Sequence, residues 1–174
     1  MTSLKPFACF YGGKWRAAPR YPRPKHNRIV EPFAGLAGYS TRYPDKEVIL
    51  VEKDPQIAAL WRWLISVSVD EILSLPLEIV DTQALTCCPE AKSLIGFWLN
   101  KGASAPCRTP SAWMRSGIRP NSFWGHEVRQ RIADQVDHIR HWVLVEGDYL
   151  QAPDIEATWF IDPPYQGAGK HYRE

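Results

Sequence analysis

An α/β fold, with a parallel sheet and helices on both of its faces, is the fold class that the sequence predicts. Two observations lead to this prediction. Short apolar runs alternate with segments of helical periodicity, an order typical of parallel sheets. Each of these runs also contains an acidic residue or is followed closely by one. At 174 residues, the chain is long enough for one domain with a sizeable core.

The four apolar runs have the length of short buried strands. They are residues 28–33, 48–51, 142–145 and 158–161. The predicted helices cover residues 54–65, 70–75, 89–100 and 127–138, and a shorter one is expected to end near residue 43. Asp54 and Pro55 have the N-cap and first-turn pattern of a helix start. Residues 101–125 form a long irregular segment, which in a compact domain indicates a functional or mobile region.

Acidic residues stand at the ends of the predicted strands. They are Glu31, Glu52, Asp148 and Asp162. Because the carboxyl ends of such strands meet at one crevice, we expect these carboxylates to lie close together. The turn at residues 34–38 lacks the G-x-G-x-x-G pattern of dinucleotide sites, and the acids disfavour a pyrophosphate. A cationic, hydroxyl-bearing cofactor suits this crevice, and S-adenosylmethionine carries a sulfonium, an ammonium and a ribose diol.

The tetrapeptide Asp162-Pro163-Pro164-Tyr165 ends the last predicted strand. Prolines are stiff and push the preceding residue toward extended conformations, so Asp162 and Tyr165 are expected to project from the strand end. The Asp162 carboxylate and the adjacent backbone carbonyl can accept hydrogen bonds from an exocyclic amino group, while the Tyr165 ring can stack on the base. The alternative interpretation is a plain strand-terminating turn.

The positive charges are concentrated in two stretches, although the net charge is only +2. Residues 1–30 contain seven Lys or Arg and residues 91–126 contain five, with no Asp or Glu in either stretch. Aromatic residues interleave with these cations, a pattern that favours a nucleic-acid-facing surface. The alternative is a solvated basic face without a partner.

Other classes of protein are disfavoured by composition. No apolar run approaches the roughly 18 residues of a membrane span, and the N-terminus lacks the apolar core of a signal peptide. The four cysteines, Cys9, Cys87, Cys88 and Cys107, have no zinc-binding spacing, so we expect free thiols and no metal. These observations predict a cytoplasmic protein.

Four motifs occur in an order that resembles the Dam-like (D12 class) DNA adenine-N6 methyltransferases. They are Phe10-Tyr11-Gly12-Gly13-Lys14, Glu31-Pro32-Phe33-Ala34-Gly35, Glu52 and Asp162-Pro163-Pro164-Tyr165. The resemblance extends over residues 10–165 and implies a Rossmann-like methyltransferase sheet, from a bacterial or phage-encoded enzyme. The chain departs from the family at Leu36 and Ala37, where Gly is frequent. It also has only twelve residues after Asp162, so the C-terminal strands of the family are expected to be missing.

The resemblance implies roles for individual residues. The cofactor site would comprise Phe10, Tyr11, Lys14, Glu31, Phe33, Ala34, Gly35, Glu52, Asp148 and Asp162. The catalytic motif would comprise Asp162, Pro163, Pro164 and Tyr165. Within these sets, Glu52 would hold the ribose hydroxyls and Asp148 would face the adenine of the cofactor. Three alternatives remain: Lys14 as part of the basic N-terminal arm, Glu52 as a helix cap, and Asp148 as a turn residue.

The resemblance also divides the chain. Residues 1–65 and 126–174 would form the cofactor-binding and catalytic domain, and residues 66–125 an inserted target-recognition segment. Contacts with double-stranded DNA are expected from Arg16, Arg20, Arg108, Arg115, Arg119, Trp113 and Trp124. The two tryptophans can alternatively anchor the insertion to the rest of the domain.

The expected function is transfer of a methyl group from S-adenosylmethionine to N6 of adenine in DNA. One alternative is methylation of RNA or of a glutamine amide in a protein. The other is a DNA-binding remnant or fragment without catalytic activity.

Overall fold

A parallel sheet of four strands forms the centre of the chain in the computed structural model, which describes residues 3–118 and 120–164. The strands are β1 (Arg28–Glu31), β2 (Glu47–Glu52), β3 (Val143–Glu146) and β4 (Thr158–Trp159). The α/β class and the parallel sheet are therefore confirmed. Strand β4 is shorter than predicted, although the Phe160 N–H still donates to the Val30 carbonyl at 2.9 Å.

Five α-helices accompany the sheet within the described ranges. They are α1 (Pro55–Ser66), α2 (Val69–Ser74), α3 (Pro89–Trp98), α4 (Ala112–Arg115) and α5 (His126–Val136). Helix α1 begins as predicted, since the Asp54 side chain accepts hydrogen bonds from the backbone N–H groups of Gln56 and Ile57 at 2.8 and 3.3 Å. The helix expected before residue 43 is only a 3-10 turn, Ser40–Arg42.

The strand order is β3-β2-β1-β4. The chain crosses the sheet from β1 through β2 to β3, and then returns to place β4 on the other side of β1. Because connections between parallel strands are right-handed, the β3–β4 connection passes over the opposite face from the earlier ones. The direction changes between β1 and β4, which is the position where open α/β sheets bind ligands.

The main hydrophobic core lies on one face of the sheet. Ile29, Val48 and Leu50 belong to a cluster that also contains apolar residues of α1, α3 and α5. The opposite face bears Val143 and Trp159, which are 51% and 37% exposed. The connection that crosses this face, residues 147–157, contains only a 3-10 turn. The expectation of helices on both faces is therefore not met in the part of the chain that the structure describes.

Residues 66–125 pack into the same core as the sheet. Helix α2 packs on α5, and α3 packs on α1. The Trp98 indole N–H donates to the carbonyl of Phe7 at 2.8 Å, which ties α3 to the N-terminal segment. The division into a catalytic domain and an insertion stays a prediction. So does the absence of further strands, because residues 165–174 lie outside the described ranges.

None of the helices in residues 3–118 and 120–164 is long and apolar enough to cross a membrane.

Candidate active site

A cavity of about 380 Å³ opens at the carboxyl ends of β1 and β4. Its volume falls within the range of about 300–1,000 Å³ that is usual for small-molecule sites. The four strand-end acids, Glu31, Glu52, Asp148 and Asp162, all line it. The parallel topology thus brings together carboxylates from four separate parts of the sequence.

Glu31 is the most buried of these acids, with 2% of its surface exposed. Its carboxylate accepts a hydrogen bond from the backbone N–H of Ser40 at 2.7 Å. Burial raises the pKa of Glu31 to about 7, and the nearby negative charge of Asp162 adds to the increase. The carboxyl group of Glu31 can therefore change its charge near neutral pH when a ligand enters the cavity.

Glu52 joins the turn after β1 to the start of α1. One carboxylate oxygen accepts from the Gly35 N–H at 2.7 Å, and the other accepts from the Asp54 N–H at 2.8 Å. Burial raises its pKa, although these hydrogen bonds oppose the shift. Helix α1 is capped by Asp54 and not by Glu52. Because a carboxylate has about four acceptor positions, Glu52 can still accept from the hydroxyl groups of a ligand.

Gly35 and Gly38, in the turn after β1, are each needed for a different structural reason. Gly35 has a φ of +47°, in the left-handed region that favours glycine, and its carbonyl accepts from the Trp61 indole at 2.7 Å. At Gly38, a Cβ atom would lie 2.6 Å from the backbone nitrogen of Trp15 and 2.9 Å from that of Lys14. Gly38 therefore allows the N-terminal segment to approach the turn closely.

Lys14 and Asp162 form an ion pair inside the cavity. The Lys14 Nζ atom lies 2.5 Å from Oδ2 of Asp162 and also donates to the Gly12 carbonyl at 3.1 Å. The two side chains are only 15% and 21% exposed. They are 148 residues apart in sequence, so the pair links the N-terminal segment to the end of β4. Asp162 is thus positioned to hold a positively charged or hydrogen-bond-donating nitrogen.

Two aromatic rings form part of the cavity wall. Phe33, which follows β1, stacks on Tyr149 with ring centroids 5.2 Å apart and planes at 29°. The adjacent Asp148 accepts from the Leu150 N–H at 3.2 Å in a reciprocal cap with Gln151. Asp148 is therefore both a turn residue and a cavity residue. Its alternative role as a turn residue is consistent with this geometry but does not exclude contact with a ligand.

The N-terminal segment closes one side of the cavity. Phe10 packs edge-on against Phe97 of α3, with ring centroids 5.7 Å apart. The Tyr11 N–H donates to the Ala103 carbonyl at 3.0 Å. Ser104, in the irregular segment, also lines the cavity. The remaining predicted cofactor residues lie at this cavity as well, namely Ala34 and Gly35.

Sequence reasoning missed several cavity residues. Tyr149 could have been suspected, because an aromatic directly after a strand-end acid lies near the crevice. Ile57, in the first long predicted helix, and Phe160, in the last predicted strand, also line the cavity. Ser104 had no local signal, because its position depends on how the irregular segment returns to the N-terminus.

The predicted DNA-contacting residues occupy different environments. Arg16 and Arg20 are exposed, while Arg108 forms a bidentate ion pair with Asp81. Arg115 is exposed and donates to the Pro110 carbonyl. Trp113 is 45% exposed and packs edge-on against Phe123.

Trp124 is 3% exposed, and its indole N–H donates to the Pro76 carbonyl at 2.7 Å. This burial favours the alternative role of Trp124 as a hydrophobic anchor rather than a DNA contact. Arg119 and Tyr165 lie outside the described residues, so their roles stay predictions. Pro164 lines the cavity beside Asp162, and Pro163 is exposed between them.

The chain matches no protein-family model and no curated protein sequence.

Proposed function

We propose that this protein transfers the methyl group of S-adenosylmethionine to N6 of adenine in double-stranded DNA. One observation carries the proposal: the carboxylate of Asp162, at the start of the Asp-Pro-Pro-Tyr motif, shares a cavity with Glu52 and the turn after β1. An acceptor for an amino group therefore adjoins acceptors suited to a diol and a cation. The order of the four sequence motifs supports the same conclusion.

The residues of the cavity fit S-adenosylmethionine. Buried carboxylates are costly in the absence of a cation, and the raised pKa values of Glu31 and Glu52 express that cost. A sulfonium and an ammonium would reduce it. Glu52 would accept from the ribose hydroxyls, Asp148 would face the adenine, and the stacked rings of Phe33 and Tyr149 offer apolar surface. When bound, the cofactor supplies an electrophilic methyl group.

Asp162 and its neighbours would bind and orient the target base. Adenine within a duplex is out of reach, so it has to leave the stack and enter the cavity. Asp162 and the Pro163 carbonyl would accept the two N6 hydrogens and so direct the nitrogen lone pair toward the methyl group. Tyr165 would stack on the base. Entry of the base requires Lys14 to release the Asp162 carboxylate.

Transfer would be a direct displacement aided by positioning and by exclusion of water. The bond from N6 to the methyl carbon forms as the carbon–sulfur bond breaks. The N6 proton, which becomes acidic only once the nitrogen is alkylated, then leaves for solvent. Asp162 acts mainly as an orienting acceptor in this scheme.

The test is incorporation of labelled methyl groups into unmethylated duplex DNA, with the product base identified by mass spectrometry. We expect N6-methyladenine from the unaltered protein. We expect a rate loss of about 100-fold or more in Asp162→Ala, because misplacing the amino group removes the alignment on which transfer depends. Asp154→Asn, which alters an exposed acid of the β3–β4 connection, is the matched control and is expected to retain activity.

Parallel reactions with RNA and with a glutamine-containing peptide separate the alternatives. If methylated product forms only with RNA or only with the peptide, that substrate, and not DNA adenine, is the methyl acceptor. DNA binding without any methylated product would favour the non-catalytic remnant instead.

A further inference from the structure

Two cations lie against the ring of Trp98, near the end of α3. The Lys101 Nζ atom is 5.1 Å from the ring centroid, and the Arg131 Cζ atom is 5.0 Å from it. Their charges are therefore within about 10 Å of each other, close to one Debye length at 0.1 M salt. Lys101 also lies 5.3 Å from the ring of Phe123. The two like charges repel each other, while the faces of the aromatic rings attract both of them.

No carboxylate forms an ion pair with either of these two cations in the described ranges. Within them, six ion pairs occur, and none includes Lys101, Arg131 or Arg16. The Nε and Nη2 atoms of Arg131 are buried and have no hydrogen-bond acceptor among the described residues. Glu127, one helical turn earlier, raises the pKa of Arg131 by its charge without forming an ion pair, and burial lowers that pKa more strongly.

A third cation contributes to the same positive region. Burial lowers the pKa of Lys101; Cys9 opposes this shift, and the charges of Arg131 and Arg16 add to it. Arg16 is exposed on the N-terminal segment, two residues after Lys14. Partly buried cations without acids are costly, and a bound anion would remove that cost.

The cluster of Arg16, Lys101 and Arg131 adjoins the cavity. The hydrogen bond from Tyr11 to Ala103 joins the N-terminal segment to the residues that follow Lys101. Tyr11 and Ser104, on the two sides of this bond, both line the cavity. An anion held by the cluster would therefore lie beside the side of the cavity that Lys14 closes.

We propose that Arg16, Lys101 and Arg131 form a phosphate site that holds the DNA backbone next to the target nucleotide. This inference rests on the proposed function and adds to it Lys101 and Arg131, which are not among the individually predicted DNA contacts. Lys101 and Arg16 are the contacting groups. Arg131 acts from behind them through its unpaired charge, because two of its three guanidinium nitrogens are buried.

The experiment measures binding of a fluorescent 20-base-pair duplex at a series of salt concentrations. Lys101→Gln and Arg16→Gln are each expected to reduce the slope of log K against log salt by about 0.9, the loss of one phosphate contact. Lys46→Gln is the control. It removes one charge directly before β2, at the amino ends of the strands and away from the cavity, and Lys46 lies outside both basic stretches. It is expected to leave the slope unchanged.

Arg131→Met provides a second variant, since methionine keeps apolar contact with Trp98. It is expected to weaken DNA binding at every salt concentration while the protein stays folded, as judged by circular dichroism. Slopes for Lys101→Gln and Arg16→Gln equal to that of Lys46→Gln would overturn the site, even if the unaltered protein methylates DNA.

Inorganic pyrophosphate is the second probe and separates the two proposals. If the unaltered protein binds pyrophosphate but not duplex DNA, and Lys101→Gln loses that binding, the phosphate site stands and the proposed DNA function fails. If the protein binds neither probe, the phosphate site is overturned.

Discussion

At the scale of single residues, Glu31 has the most distinctive environment in the cavity. It is buried, it accepts from the Ser40 N–H, and its pKa is raised to about 7 from 4.5. Between pH 4.5 and 7, the Glu31 carboxyl group therefore keeps its proton in the folded state but has lost it in the unfolded state. The contribution of Glu31 to stability is fully present below pH 4.5 and is lost as the pH rises through 7.

The first prediction concerns the stability of Glu31→Gln. The shift of the Glu31 pKa corresponds to a cost of up to about 3 kcal/mol above pH 7. Glutamine carries no charge and can still accept from Ser40. We therefore expect the variant to unfold at a higher urea concentration than the parent at pH 8, and at a similar one at pH 4.5. Glu78→Gln, at an exposed glutamate, is the control; an equal gain there at pH 8 would contradict the explanation.

The second prediction links Glu31 to cofactor binding. A cationic ligand lowers the pKa of a neighbouring carboxyl group, so its binding is expected to release a proton from Glu31 near pH 7. The affinity for S-adenosylmethionine should then increase as the pH rises from 6 to 8. Calorimetry at pH 7 in two buffers of different ionisation enthalpy measures the proton released. The release should disappear in Glu31→Gln, and its persistence there would assign it to another group.

At the scale of elements, β4 is the least supported strand of the sheet. It has two residues and pairs only with β1 in the described chain. Three hydrogen bonds, in addition to the pairing of Thr158–Trp159 with β1, hold β4 in place. The Thr158 hydroxyl oxygen accepts from the N–H groups of Lys25 and His26, and the Phe160 N–H donates to the Val30 carbonyl.

The ring of Phe160 also supports β4, through contacts with two tyrosine rings. It stacks on Tyr39 with centroids 4.5 Å apart and planes at 1°, and it meets Tyr21 edge-on at 5.2 Å. Because Asp162 is two residues further along, its position depends on these aromatic contacts.

The third prediction is that Phe160→Leu loosens the end of β4 without unfolding the protein. Loss of the two aromatic pairs is expected to remove about 1–3 kcal/mol of local stability. Hydrogen exchange at the amide of residue 160 should be faster, and methyl transfer should fall. Ile161→Leu changes a neighbouring side chain that is 63% exposed and serves as the control. An unchanged exchange rate in Phe160→Leu would show that the strand does not need the ring.

At the scale of the whole molecule, one hydrophobic cluster joins the predicted insertion to the rest of the chain. Leu94, Ile95 and Phe97 from α3 share it with Leu60 and Trp61 from α1. Trp98 and Trp124 donate to carbonyls of Phe7 and Pro76, which connect further parts of the sequence. Residues 66–125 therefore cannot lose their packing without exposing apolar surface of the sheet layer.

The fourth prediction is that the described region unfolds as a single cooperative unit. Urea transitions followed by tryptophan fluorescence and by far-ultraviolet circular dichroism are expected to coincide. Ile95→Ala, in α3, should shift both transitions equally, with a loss of about 2–5 kcal/mol. Two separate transitions, of which Ile95→Ala shifts only one, would instead support an independently folding insertion.

Much of the fold could be predicted because its signals are local. The apolar runs predicted the strands, and Asp54-Pro55 predicted the start of α1. Strand β4 ended two residues earlier than expected, and beyond it only the Phe160 N–H, which donates to the Val30 carbonyl, continues the contact with β1 among the described residues. The helix expected before residue 43 shortened to one turn, where Gly35 and Ala37 both have φ near +47° and interrupt helical geometry.

The sequence by itself determined which chemical groups stand at the strand ends, because a strand ends where its own residues stop favouring it. From a parallel sheet, the convergence of Glu31, Glu52, Asp148 and Asp162 follows directly. Only the tertiary structure decided the pairing of Lys14 with Asp162, the burial of Trp124, and the meeting of Lys101 with Arg131 on Trp98. Those contacts join residues far apart in the chain, and they depend on how whole segments pack, which no local pattern of residues encodes.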